Sequence, residues 1–194
     1  MPLIISHPKT NPKIRKIEEE IAEKKEEIAR LKNNEKGKTI INYTFQDKNG
    51  DDILLSELFR NKDELIVVFY MGIHCKYCTL WGDNYNGIAN PLNDRAVFIV
   101  ISNETPEEQQ KIKRDRKWVF DMYSRKNNSF AEDLGFTGEN ENPLPGVASF
   151  SKKDGKIFLH YRSYFGPGDN YCNMWDFVNI LPKGINNWNP KYNY

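Results

Sequence analysis

Cysteine is scarce in this chain. Three cysteines in 194 residues are too few, and too odd in number, for a disulfide scaffold. Long apolar runs are missing too. The longest, Leu65 to Met71, has seven residues, where a membrane-spanning helix needs about 20. Neither sign of charge is in excess: 28 Lys plus Arg stand against 27 Asp plus Glu, so bulk charge offers no surface to nucleic acid or membrane. The opening residues, Met1 to Thr10, lack the basic and apolar stretches of a secretory signal, and the expected localisation is cytoplasmic. There is no internal repeat or low-complexity tract. What is present is 39% hydrophobic and 13% aromatic, enough for a packed core. The length suits one domain with an appended arm.

The first 38 residues differ from the rest. Ile14, Ile17, Ile21, Ile28 and Leu31 recur at helical spacing, with Lys24 interrupting them and glutamates and lysines on the outer faces. This predicts an amphipathic helical arm over residues 1–38. Such a helix alone is marginal in water, so its seam must pack on its own domain or on a second copy. We expect a homodimer through this helix. The tail, residues 186–194, adds Trp188, Tyr192 and Tyr194 as apolar surface for such a contact.

Between them, residues 39–185 alternate in type. Tyr43 to Gln46 and Ile53 to Leu55 flank the hairpin signal Lys48-Asn49-Gly50. Leu65 to Met71 and Ala96 to Ile101 are continuous apolar runs that fit strands buried on both faces. Cys78, Trp81, Tyr85 and Ile88 fall at helical spacing before Pro91. Thr105-Pro106-Glu107-Glu108 is a capping box that opens a charged helix to Lys117. Val119 to Tyr123 reads as a strand and Phe130 to Leu134 as a short helix. Val147 to Phe150 and Ile157 to Tyr164 form a hairpin around Asp154-Gly155, and Tyr171 to Leu181 reads as a closing helix. The pattern predicts a mixed sheet with helices on both faces.

The chemistry centres on Cys75-Lys76-Tyr77-Cys78. In a reducing compartment this spacing points to redox or metal chemistry. It directly follows a buried strand and opens a helix, where free N–H groups and the positive dipole end stabilise a thiolate. Cys75 is the expected nucleophile and Cys78, one turn later, the resolving thiol. His74 and Lys76 add positive charge, Tyr77 lies where a substrate would approach, Trp81 reads as core or as a wall of the site, and Pro145 with Gly146 can set a backbone edge beside the cysteines, with Pro145 able to hold a cis bond. A zinc site needs four ligands, and Cys172, His160, His74 and His7 supply no second paired spacing, so no metal is expected. Cys172 reads as a small buried hydrophobe. His74 and Asp83 are weak candidates for the proton acceptor of Cys78.

Strand, Cys-x-x-Cys at a helix start, strand, helix, proline and hairpin resemble the thioredoxin fold. The stretch Phe45-Gln46-Asp47 through Leu54-Leu55-Ser56-Glu57-Leu58-Phe59 resembles the entry of its peroxiredoxin-like branch. More closely, the charged N-terminal helix, Asp51 to Phe59, Cys75-Lys76-Tyr77-Cys78-Thr79-Leu80-Trp81, Phe150 with Asp154-Gly155, and the tail from Tyr164-Phe165-Gly166 to Leu181-Pro182-Lys183-Gly184 resemble a bacterial family of unknown function described as predicted dithiol–disulfide oxidoreductases. The resemblance implies an α/β, thioredoxin-like three-layer fold with a mixed central sheet and an N-terminal helical arm. It also implies a thiol–disulfide oxidoreductase acting without a cofactor on a protein or small-molecule thiol or disulfide. Lys-Tyr stands between the cysteines where thioredoxin has Gly-Pro, and the strand before them carries no acid. Two alternatives stand beside this one. A binding or scaffold module would keep the fold without the chemistry. A thiol peroxidase would want Thr or Ser where Gly72 stands and an arginine, for which Arg162 is available.

Overall fold

Asn11 and Pro12 start the first helix, α1 (Pro12–Asn34). Pro12 takes the first position, where its missing N–H costs nothing, and Asn11 Oδ1 accepts from Lys13 N at 2.9 Å. Lys24, the break in the apolar seam, forms an ion pair with Glu27 at 2.7 Å. No residue of α1 is buried. The computed structural model describes residues 6–125 and 128–194. These divide into two units, one up to Lys36 and one from Gly37 to Tyr194.

The second unit is built on an eight-stranded sheet: β1 (Lys38–Ile40), β2 (Thr44–Gln46), β3 (Asp52–Leu54), β4 (Glu64–Phe69), β5 (Val97–Ser102), β6 (Asp121–Ser124), β7 (Gly146–Lys153) and β8 (Lys156–Tyr164). Their order across the sheet is β1-β8-β7-β4-β5-β6-β2-β3. The middle pairs β4·β5 and β5·β6 are parallel, and β4·β7 and β7·β8 antiparallel. The β7–β8 turn uses Asp154 (φ 51°) and Gly155 (φ 73°). Two positive φ values in succession match the twist of a tight hairpin, which is why Asp-Gly marks it.

The pleat sends alternate residues to opposite faces. Leu65, Val67, Phe69, Val97, Ile99 and Ile101 pack in one core with α2 (Leu55–Leu58) and α6 (Phe130–Asp133). Val68, Tyr70, Phe98 and Val100 pack in the other with α3 (Lys76–Asn86) and α7 (Met174–Asn179). That gives three layers, with both central strands apolar throughout because both of their faces are covered. A further helix, α5 (Pro106–Arg116), is opened by the expected reciprocal cap: Glu108 N donates to Thr105 Oγ1 (3.3 Å) and Thr105 N to Glu108 Oε2 (2.9 Å).

Two local expectations are corrected, and one strand had no forewarning. Ile88 does not continue the helix of Cys78, Trp81 and Tyr85: α3 ends at Asn86, and Pro91 lies in the first turn of a separate helix, α4 (Ala89–Arg95), where a proline needs no N–H partner. The closing helix is shorter than Tyr171 to Leu181, because Asp169 accepts from Gly166 N and Tyr171 N and folds residues 166–171 into a loop. Cys172 therefore precedes α7. The strand β1 had no apolar signature of its own; it exists by pairing with β8. Among the described residues no helix is long and apolar enough to cross a membrane.

Candidate active site

After β4 the chain turns through Tyr70 to His74 into α3. Gly72 has φ 139°, and a Cβ there would lie 2.7 Å from Glu104 Oε1, so only glycine fits. Glu104, just beyond β5, accepts from Ile73 N at 3.0 Å, and its other carboxylate oxygen is buried without a hydrogen-bond partner. This acid ties the loop before the cysteines to the neighbouring strand. No local pattern announces it, since its place beside the site depends on the β4–β5 pairing.

Cys75 is the N-cap of α3. Its Sγ accepts from Cys78 N at 3.1 Å, as a serine or aspartate oxygen does at other helix starts. Thr79 Oγ1 donates to Cys75 O at 3.0 Å. Cys75 is half-buried and Cys78 buried, and neither is in a disulfide. The Cys78 thiol donates toward the Cys75 sulfur, and with the N–H groups of Cys78 and Tyr77 this lowers the Cys75 pKa to about 7, against the opposing effect of burial. The same hydrogen bond, with burial second, pushes Cys78 far above the usual thiol range. The two sulfurs are thus unequal, the outer one poised as thiolate and the inner one held as thiol.

Behind them lies a cavity of about 250 Å³. Cys75 and Cys78 form part of its wall, and the rings of Trp81, Tyr85, Trp118 and Phe165 much of the remainder. Trp81 is buried, and its indole donates to Asp169 Oδ2 at 3.0 Å. Pro145 also lines the cavity; its peptide bond is trans, contrary to the conformation entertained above. Gly146 is placed apart, buried between β4 and β8, where a Cβ would strike Ser163 O and the Phe136 ring. Its glycine is explained by packing.

His74, Lys76 and Tyr77 are exposed around the cysteines, and the C-terminal tail reaches all three. Tyr192 Oη donates to His74 O, Tyr77 Oη donates to Asn189 Oδ1 at 3.0 Å, and Lys76 Nζ sits 5.7 Å from the Tyr192 ring centroid. Trp188 packs edge-on against Trp175 of α7. Trp188 and Tyr192 thus meet their own domain, while Tyr194 is 77% exposed. Asp83 is taken by Arg116 and by the indole of Trp118 (2.9 Å), so it serves as an anchor. Cys172 is fully buried, and burial raises its thiol pKa. His160 pairs with Ser151 at 2.7 Å, and Arg162 donates to Leu134 O at 3.0 Å. Leu134 belongs to the core on the face opposite Cys78. His7 lies in the first unit. Among the described residues no cluster of three or more His, Cys, Asp or Glu could hold a metal ion.

Solved structures similar to this one carry the same fold. A cysteine-to-serine mutant of PrxQ from Xylella fastidiosa superposes with a TM-score of 0.59 at 10% identity, covering 71% of this chain and 90% of that one. Peroxidoxin BcpB from Mycobacterium tuberculosis gives 0.52 at 19% identity over 74% and 92%. An uncharacterised conserved protein from Geobacillus kaustophilus gives 0.53 at 13% identity over 80% and 85%. At such identities the likeness is one of fold, and the fold is thioredoxin-like. No curated protein matches the chain significantly. The model of one family, "Bacterial protein of unknown function (DUF899)", matches residues 9–194, and the chain belongs to that family.

Proposed function

We propose that the protein is a thiol–disulfide oxidoreductase, with Cys75 as nucleophile and Cys78 as resolving thiol. One observation carries this reading: Cys75 caps α3 with its sulfur on the Cys78 N–H at 3.1 Å, and the Cys78 thiol is buried one turn behind it. The Cys75 thiolate attacks a substrate disulfide and forms a mixed disulfide, expelling one thiolate, which takes a proton from water. Cys78 then gives up its proton and attacks Cys75 Sγ. The internal disulfide forms and the second substrate thiolate leaves, taking up, through water, the proton that Cys78 released. The protein is oxidised by two electrons and the substrate reduced to two thiols. A dithiol donor of the reducing cytosol restores the pair.

Two features weigh against the peroxidase alternative. Gly72 holds φ 139°, where a threonine or serine would be strained, and Arg162 is engaged with Leu134. A scaffold module has no use for unequal sulfurs, and a midpoint titration of Cys75/Cys78 separates it from an exchanger. The decisive test is the Cys78→Ser variant, which should accumulate a mixed disulfide at Cys75 that mass spectrometry can identify. Failure to trap any partner at Cys75 overturns the assignment.

A further inference from the structure

The cavity behind the cysteines narrows the class of substrate, and this inference rests on the exchange reading just given. We propose that the substrate is a small organic disulfide of which one half is a compact apolar group, aromatic or branched, seated in the cavity with its sulfur at Cys75. The space is about 250 Å³. A dry cavity of about 150 Å³ holds benzene, so this one admits a larger ring or a ring with a short chain and excludes a polypeptide segment. Its walls are largely ring faces and almost entirely apolar. A polar or charged group seated there would lose its water without gaining a partner, so the bound half is apolar.

A second observation points the same way. A protein substrate would lie across the surface around the cysteines, and the tail takes up part of that surface. Asn189 and Tyr192 of the tail are hydrogen-bonded to Tyr77 and His74, and Asn189 and Pro190 line the shallow hollow beside Cys75. The other half of the disulfide has that hollow open to it.

The test uses the full chain, pre-reduced, in single turnover, so that no electron donor is needed. The probes are 4,4′-dipyridyl disulfide, which is neutral and aromatic, and glutathione disulfide, which is charged and peptidic. Each rate is divided by that of 2-mercaptoethanol thiolate with the same disulfide. The normalised rate should favour the aromatic probe by at least about tenfold, the discrimination an apolar pocket readily supplies. Di(4-pyridyl) sulfide, which cannot exchange, should quench the tryptophan fluorescence of Trp81 and Trp118 and inhibit competitively. In Val100→Phe, whose added ring fills the cavity, the preference should fall to that of a free thiol. Equal normalised rates in the wild-type chain, with no binding of the thioether, overturn this substrate class and leave disulfide exchange standing. Binding of the thioether with no reaction of either disulfide overturns the exchange reading, and this proposal with it.

Discussion

A thiol whose pKa is about 7 is half ionised at pH 7, whereas one near the free value of about 8.5 is only a few per cent ionised. Iodoacetamide should therefore label Cys75 with a midpoint near pH 7, with about a tenth of the plateau rate at pH 6. Cys78 should stay unlabelled throughout, since its ionisation is pushed above the accessible range. Peptide mapping after timed quenching reads both; labelling of Cys78 first reverses the roles. Glu104 gives a second expectation at this scale. It accepts the Ile73 N–H in a half-buried loop. Glu104→Ala leaves that N–H unpaired and should cost about 1–3 kcal/mol in urea denaturation, whereas Glu104→Gln keeps an oxygen and should cost less. Equal losses in the two variants would show that this hydrogen bond is not what the acid contributes.

The helix that carries the cysteines is held from below. Gly82 lies against Trp118, and a Cβ would come within 2.5 Å of that ring, while Asp83 binds the indole N–H and Arg116. Gly82→Ala should therefore destabilise the protein by about 1–3 kcal/mol despite the better helix propensity of alanine, visible as a lower thermal midpoint. A stability equal to or above wild type would mean Trp118 moves freely. At this scale the sequence was most readable where the signal is short-range. The capping box at Thr105, the Asp154-Gly155 turn, the apolar strands β4 and β5 and the Cys-x-x-Cys helix start are all set by residues within a few positions of one another. What escaped were features made by distant partners. The strand β1 depends on β8, Glu104 depends on the pairing of β4 with β5, and the tail residues Asn189 and Tyr192 meet Tyr77 and His74 across more than a hundred positions. Ile88 keeps the helical spacing of α3 because α4 follows after only two intervening residues.

The whole chain poses the question of assembly. Ile14, Ile17, Ile21, Ile28 and Leu31 are each 48–63% exposed, and a seam of this kind is stable in water only when covered. Sedimentation equilibrium should show a dimer for the full chain and a monomer for residues 37–194. A monomer in both removes the dimer, and a dimer in both moves the contact away from the arm. Where such a shortened chain begins also matters for a different reason. The strand β1, three residues long, follows the arm at once and caps the rim of the sheet by pairing with Ile157 to Leu159 of β8. A start at Gly37 preserves that seal. A start at Asn42 strips it off and bares a row of unpaired backbone groups on a nine-residue strand, an open template for stray chains. Five residues at the new terminus should then separate a chain that stays clear on concentration from one that turns turbid, as light scattering will report.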